Sequence, residues 1–196
     1  VDVAVIAVGM GGRLDCTNII TPDLSVITNI SFDHVQFLGN TLAKIAGEKA
    51  GIIKPGVPVV IGETTEETKK VFKDKSLEMN APIRFAEEEH EIISSRPEGN
   101  TRVYETLHYG SFIGELGGLC QEKNTATILA AIDELRKAGY IIAQEHIELG
   151  FGHVCKLTGL RGRWQQLGTR PTVICDTGHN TGGISYIAEQ LECVQA

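Results

Sequence analysis

A basic surplus is the first thing this sequence lacks. Its 196 residues carry 18 Lys and Arg against 25 Asp and Glu, a net charge of −7, so nothing is left over to neutralise a phosphate backbone or hold an anionic membrane surface. Nucleic-acid and membrane partners are disfavoured on that ground. No apolar stretch approaches the roughly 18 residues that span a bilayer, and the N-terminus shows neither the basic region nor the cleavage pattern of a signal peptide. A soluble, cytoplasmic protein is expected. The cysteines Cys16, Cys120, Cys155, Cys175 and Cys193 are odd in number, far apart and without a C-x-x-C pair, which points to reduced thiols rather than a disulfide framework or a zinc site. Repeats, low-complexity segments and an initiator methionine are also missing. The chain opens on valine inside the apolar run VDVAVIAV, and we expect it to begin in the middle of a fold.

What is present is an alternation of strands and helices. VDVAVIAVG, LSVITNI (Leu24 to Ile30) and VPVVIG (Val57 to Gly62) are short, β-branched and almost continuously apolar, the pattern of strands buried on both faces of a parallel sheet. Between the last two, NTLAKIAGEKAGIIKPG places Leu42, Ile45 and Ala46 at helical spacing, with Asn40 or Thr41 to cap and Pro55-Gly56 to close. A second helix is predicted in TTEETKKVFKDKSLEMN, with Val71, Phe72 and Leu77 as its apolar face, before a short strand PIRFAE. From about Glu89 to Gly118 the alternation shortens, and TRVYETLHY and SFIGEL predict an antiparallel hairpin turning at Gly110-Ser111. Helices follow over Gln121 to Ala138, closed by Gly139, and around Gln144 to Leu157. A strand from Thr172 to Cys175 then leads through a polar loop into a helix from Gly183 to Leu191. A lone strand and helix cannot cover both sheet edges, so the segment after about residue 169 reads as the opening of a second domain.

Four groups of residues could carry chemistry. GMGGRLD, Gly9 to Asp15, follows the first strand and suits either a tight turn or close backbone approach to a ligand. It is neither a G-x-G-x-x-G fingerprint nor a phosphate-binding G-x-x-x-x-G-K-[ST] loop, and no such loop occurs elsewhere. Asp33-His34, at the carboxyl end of a strand, fits a Mg²⁺ ligand or a simple turn cap. Lys49 sits among apolar neighbours, where an ammonium is expensive unless paired or modified, whereas Lys54 beside Pro55 reads as solvated charge. Arg163, Asp176, His179 and Asn180 combine a guanidinium, a carboxylate and an imidazole near one strand end, a set suited to a phosphorylated ligand. Trp164 beside them is consistent with packing alone.

Taken together, these segments resemble the dihydrofolate synthase/folylpolyglutamate synthase family, a branch of the Mur ligase superfamily. The run from VDVAVIAVGMGGRLDCTNIITPDL through SFDHVQFLG to EKAGIIKPGVPVV is similar to the family's most recognisable stretch, LGGLCQEKNTATILAAI to its Q-x-x-N helix start, and GRWQ with PTVICDTGHNTGG to its G-R and D-G-x-H-N-P-x-G segment. Several motifs in the right order are far more specific than one. The resemblance implies an α/β fold: a parallel-sheet, ATPase-like central domain over residues 1–168, incomplete at its N-terminus, lacking the phosphate-loop part and carrying an added antiparallel hairpin. Residues 169–196 would be the first strand and helix of a Rossmann-like C-terminal glutamate-ligase domain, with the active site in the cleft between the two domains.

The implied activity is ATP-dependent addition of glutamate to dihydropteroate or folates through an acyl phosphate. ATP and Mg²⁺ are the implied cofactors, the partners are small-molecule substrates, and no obligate protein partner is implied. By the same resemblance His34 is a magnesium ligand, and Lys49 is the lysine that carbamylation turns into an anion supporting a second magnesium. Asn124 lies near adenine with Gln121 in the same helix start, Arg163 reaches the phosphates, Asp176 holds the ribose and His179 sits close to the phosphates. Lys49, Arg163 and His179 are then the catalytic group. Two positions depart from the pattern: Ala7 stands where the family has a magnesium-binding glutamate, and Thr181 replaces the proline of H-N-P. With less than half of the family's usual length present, the isolated chain is expected to bind Mg-ATP weakly and not to ligate glutamate. The alternatives are a peptidoglycan-type Mur ligase or cyanophycin synthetase, which share the ATP machinery, and a non-catalytic relic or interaction module of the same fold. A nicotinamide-dependent oxidoreductase fits poorly, because the glycine spacing is wrong.

Overall fold

Short β-branched runs build the parallel sheet as their pattern predicts. In a computed structural model, which describes residues 2–32 and 34–192, strands β1 (Ser25–Ile27), β2 (Val59–Ile61) and β3 (Ile83–Phe85) form a parallel sheet in that order. Val26 pairs with Val60 and Val60 with Arg84. Three helices intervene: α1 (Val35–Leu38) and α2 (Leu42–Ala50) between β1 and β2, and α3 (Glu66–Glu78) between β2 and β3. Each residue of the central strand β2 is buried. Val59 and Ile61 join Ile27, Ala46, Ala50, Ile53, Phe72 and Phe85 on one face, while Val60 meets Ala86 and Ala130 on the other. A fully buried side chain of this size contributes about 1.5–3 kcal/mol, which is why this strand is apolar without alternation.

The helix starts are chemical. Thr41 caps α2, its Oγ1 accepting from Lys44 N at 3.2 Å. Thr65 caps α3 in a reciprocal pair with Thr68, whose Oγ1 accepts from Thr65 N at 2.9 Å. On α3 the buried stripe is Thr68, Phe72 and Ser76, four residues apart; Leu77, expected on the apolar face, is 79% exposed because it lies one helical step off that line.

The chain divides into two compact units, Val1–Glu89 with Thr127–Gly139 and His90–Ala126 with Tyr140–Ala196. The second unit holds an antiparallel sheet of β4 (Ile92–Glu98), β5 (Thr101–Thr106) and β6 (Ser111–Gly114). The expected hairpin is thus its β5–β6 half, with β4 added on the outer side of β5. Tyr104 pairs with Phe112 across it, and Phe151 from α5 (Gln144–Gly152) stacks near Phe112 at 4.9 Å between ring centroids. Helix α4 (Gln121–Lys137) follows the sheet. The helix expected over Gln144 to Leu157 is two, α5 and α6 (Val154–Thr158), parted where His153 leaves helical geometry at φ −136° after two weak helix formers, Gly150 and Gly152. Strand β8 (Thr172–Cys175) pairs with β7 (Gln165–Thr169), a strand the sequence reading missed, and α7 (Thr181–Glu192) comes last.

The first expected strand does not form. Residues 2–8 pair with no strand among the described residues, and Val3, Val5 and Ile6 are exposed. Their pattern is that of a strand covered on both faces, and no described residue covers either, so no ladder or burial offsets the entropy of ordering them. Cys16, Cys120, Cys155 and Cys175 are in no disulfide; Cys193 and Asp33 lie outside the described residues. Among the described residues no helix is long and apolar enough to cross a membrane.

Candidate functional site

In the first unit, the glycine loop is a close-packed turn laid on the end of α2. Asp15 holds it. Its Oδ2 accepts from Gly9 N and Met10 N, each at 3.1 Å, and its Oδ1 from Thr17 N at 2.9 Å and Thr17 Oγ1 at 2.6 Å. Four donors on one carboxylate, the Thr17 hydroxyl contributing most, lower its pKa to about 2. Glycine is required on both sides of the contact with α2. A Cβ on Gly12 would sit 2.9 Å from Ile52 Cγ2 and 3.0 Å from the Glu48 carbonyl, and one on Gly51 would sit 2.4 Å from Arg13 Cα. Arg13 N donates to Glu48 O at 2.8 Å, and the Arg13 guanidinium grips the Glu48 carboxylate through Nε at 3.1 Å and Nη2 at 3.0 Å.

Lys49, the next residue of α2, is half-buried. Lys54 is half-buried too and donates to Asn18 O at 2.7 Å, so it is no freely solvated charge. His34 is exposed at the start of α1 in the left-handed region (φ 46°, ψ 40°), and Ala7 is exposed in the unpaired N-terminal run. Among the described residues no three His, Cys, Asp or Glu side chains come together as a metal-holding group. The donor set offered here is one imidazole, one ammonium that cannot ligate and a methyl group, so these residues, unmodified, do not compose a magnesium site.

In the second unit, the β7–β8 hairpin sets Gln165 opposite Cys175 and so brings the flanking loops together. Arg163 and His179 meet through Thr177, which follows Asp176 in the chain. Arg163 Nη1 donates to Thr177 Oγ1, and His179 Nδ1 lies 3.1 Å from Thr177 O. Asp176 accepts from Trp164 N and from Gly178 N, both at 2.7 Å. The carboxylate therefore fixes both loops while keeping lone pairs for hydroxyl donors. Trp164 is half-buried and sits at φ 50°, its backbone N–H donating to Asp176 Oδ2. Arg163 and His179 are exposed, and α7 opens directly after them, with Asn180 Oδ1 accepting from Gly183 N at 2.8 Å. Thr181 is the first residue of α7, the position where proline is tolerated best, so its exchange for the expected proline leaves the helix start intact. An exposed guanidinium, an imidazole and a helix N-terminus converge as donors for an anion.

Asn124 stands on the first turn of α4, its Nδ2 donating to Gln121 Oε1 at 3.2 Å; among the described residues no hydrogen bond joins it to the Arg163 cluster. Helix α7 links the two places. Gln190 accepts from Leu119 N at 2.9 Å and donates to Gly117 O at 3.2 Å, and Lys123 Nζ lies 5.9 Å from the Tyr186 ring centroid. Sequence reasoning missed Asp15 and Gln190. Asp15 had a signal, an Asp two residues before a Thr in a turn, whereas Gln190 had none, its partners lying more than seventy residues away.

Family models give no match to the chain. Curated proteins do. The chain is 33% identical over 98% of its length to a dihydrofolate synthase/folylpolyglutamate synthase of Bacillus subtilis, and 34% identical over 97% to that of Mycobacterium tuberculosis. These matches cover 45% and 41% of the two relatives, so the chain spans a little under half their length. Among solved structures, a complex of folylpolyglutamate synthase (FPGS) with AMPPCP and folate superposes on the whole chain with a TM-score of 0.87 at 29% identity, covering 48% of that structure. The chain shares that fold, a mixed α/β architecture of the Mur-ligase type. In sequence and in fold this chain is similar to the dihydrofolate synthase/folylpolyglutamate synthases, matching a little under half of such a protein.

Proposed function

We propose that this chain is part of the ATP-dependent machinery of an enzyme that joins glutamate to dihydropteroate or folates by amide formation. The observation that carries this reading is homology along nearly the whole chain to synthases of that name, one relative's solved complex holding both AMPPCP and folate. In this reading residues 1–168 are central-domain sequence, residues 169–196 open the C-terminal domain, and the protein works in the cytoplasm. Asn124 meets the adenine edge, Asp176 takes the ribose hydroxyls, and Arg163 and His179 face the phosphates. Guanidinium for phosphate and carboxylate for hydroxyl are the pairings those groups make best. Two reacting anions, a substrate carboxylate and a triphosphate, repel each other, so cationic donors held in place supply much of the rate.

Magnesium, which would offset that repulsion when bound, needs a changed donor set. Loss of a proton from the Lys49 ammonium frees an amine lone pair that adds to CO2, and release of a second proton leaves a carbamate anion with two oxygen donors; we assign it and His34 as the protein ligands on that condition. The isolated chain binds Mg-ATP weakly and does not ligate glutamate. Titration of the ¹⁵N-labelled chain with Mg-AMPPCP tests the assignment: signals of Asn124, Arg163, Asp176 and His179 shift together, with an affinity of about millimolar. Signals shifting elsewhere, or none shifting, would remove it. Robust ADP release by the chain alone, dependent on ATP, folate and glutamate together, overturns its inactivity.

A further inference from the structure

Arg102 is a buried cation to which the preceding reading gives no task. It lies within β5 at 3% exposure, with Gly114 of β6 as its register partner; a Cβ on that glycine would sit 2.8 Å from the ring of Tyr104, the next residue on the same face. Its Nη1 donates to Ser95 Oγ on β4 at 2.7 Å, and its Nε is buried without a partner. A buried guanidinium with an unmade hydrogen bond carries a desolvation cost that an apolar side chain of equal length avoids.

We propose that Arg102 is a positioning residue for the first turn of α4, acting through Ser95 and Glu122, and that it thereby sets Gln121 and Asn124 for the base of a bound nucleotide. The proposal rests on the nucleotide reading above.

Ser95 Oγ accepts from Arg102 and donates to Glu122 Oε2. A serine hydroxyl alone rotates freely. With the guanidinium occupying a lone pair, its proton is directed away, toward the carboxylate. Glu122 is the second residue of α4, where a negative charge also suits the helix dipole. The relay thus runs from a rigid strand to the first turn of the helix. Tyr104, two residues along the same face of β5, gives a second tether: its hydroxyl is hydrogen-bonded to Thr125, and burial pushes the phenol pKa up. Gln121 stands immediately before the first tethered residue and Asn124 immediately before the second, and the two amides are already joined to each other. A helix start frays because its first N–H groups lack intrahelical partners. An amide that must meet a base edge tolerates little of that motion, so a fixed anchor behind the first turn has a use that packing alone does not supply.

The test uses the full chain, ¹⁵N-labelled, as wild type and as Arg102→Met, Arg102→Lys, Ser95→Ala and Glu122→Ala. Breaking the relay shifts the side-chain amide signals of Gln121 and Asn124 and speeds backbone exchange at Asn124, Thr125 and Ala126 by about tenfold, while amides of the β5–β6 ladder keep their protection. Arg102→Lys, which retains a donor for Ser95, restores most of the protection. Titration with Mg-AMPPCP and Mg-GMPPCP then shows base preference falling toward one in the relay variants, whereas general loss of fold lowers both affinities together. Should Arg102→Met fail to fold, Ser95→Ala and Glu122→Ala break the same relay from its other members. Wild-type exchange and side-chain signals in those two variants overturn the role of Arg102. A wild-type chain with no preference between the two nucleotides instead overturns the base-recognition reading, whatever the exchange data show.

Discussion

Replacing Arg84 with methionine tests the ion network that ties β3 to α4 in the first unit. Arg84 makes five side-chain hydrogen bonds: to Glu89 Oε1 at 2.7 Å and Oε2 at 2.6 Å, to Asp133 Oδ2 at 3.2 Å, to Glu134 Oε1 at 3.0 Å and to Ala130 O at 3.3 Å. The bonds to Glu89, aided by those to Glu134 and Asp133, outweigh desolvation and raise the guanidinium pKa. Methionine keeps much of the stem volume and removes every donor. Glu134, at 9% side-chain exposure, then keeps Lys137, at 2.6 Å, as its ion-pair partner among the described residues. Breaking a fully buried pair costs about 3–5 kcal/mol and an exposed one about 0–1. Glu89 and Asp133 are 31% and 38% exposed, so the loss falls near 3 kcal/mol, or a fall in Tm of roughly 6–12 °C.

Urea denaturation at pH 7 and pH 3 measures this loss. Burial raises Glu134, but hydrogen bonds from Lys137 and Arg84 overcome it and hold the carboxyl below its ordinary range. The stabilisation from such a depressed group is fully present above about pH 4.3 and is lost as pH falls through the folded value. The gap between wild type and variant therefore narrows at pH 3. A loss under about 1 kcal/mol at pH 7, or an undiminished gap at pH 3, refutes the reasoning.

Two further outcomes follow from the glycine loop. Gly51→Ala drives a methyl against Arg13 Cα, placed 2.4 Å away; since neither backbone can yield cheaply, it destabilises by about 1–3 kcal/mol, and unchanged thermal unfolding counts against the close packing. Asp15, with its pKa lowered to about 2, stabilises the loop fully above its unfolded value near 3.9 and loses that contribution as pH falls toward about 2. Amide shifts of Gly9, Met10 and Thr17 titrate with that low midpoint in the wild type and not in Asp15→Asn; a midpoint near 3.9 sinks the four-donor account.

Elements whose cause is local were legible in the sequence. Thr41 caps α2 where the pattern puts it, α4 begins at Gln121, and β8 runs from Thr172 to Cys175. Elements whose cause is distant were not. The VDVAVIAV run has strand composition, but a strand exists only beside a partner, and propensity cannot report whether one is there. Leu77 is apolar on a helix whose buried line runs through Thr68, Phe72 and Ser76, two of them polar, so apolarity alone points to the wrong face. Arg84 and Gln190 have partners 50 and 71 residues away and no motif, and Arg102 bonds to Ser95 only because β4 and β5 pair, so their roles became visible only with the fold. The Arg163, Asp176 and His179 cluster was readable because a hairpin joins residues close in sequence.

The glycine contact at the end of α2 also has a mechanical meaning. Where two backbones meet with side chains between them, rotamer changes absorb small displacements. Between Gly12, Gly51 and the backbone of residues 13 and 48 there is no such cushion. The Gly9–Asp15 loop and the helix end that carries Lys49 are accordingly seated backbone on backbone, with no rotamer between them to take up a displacement.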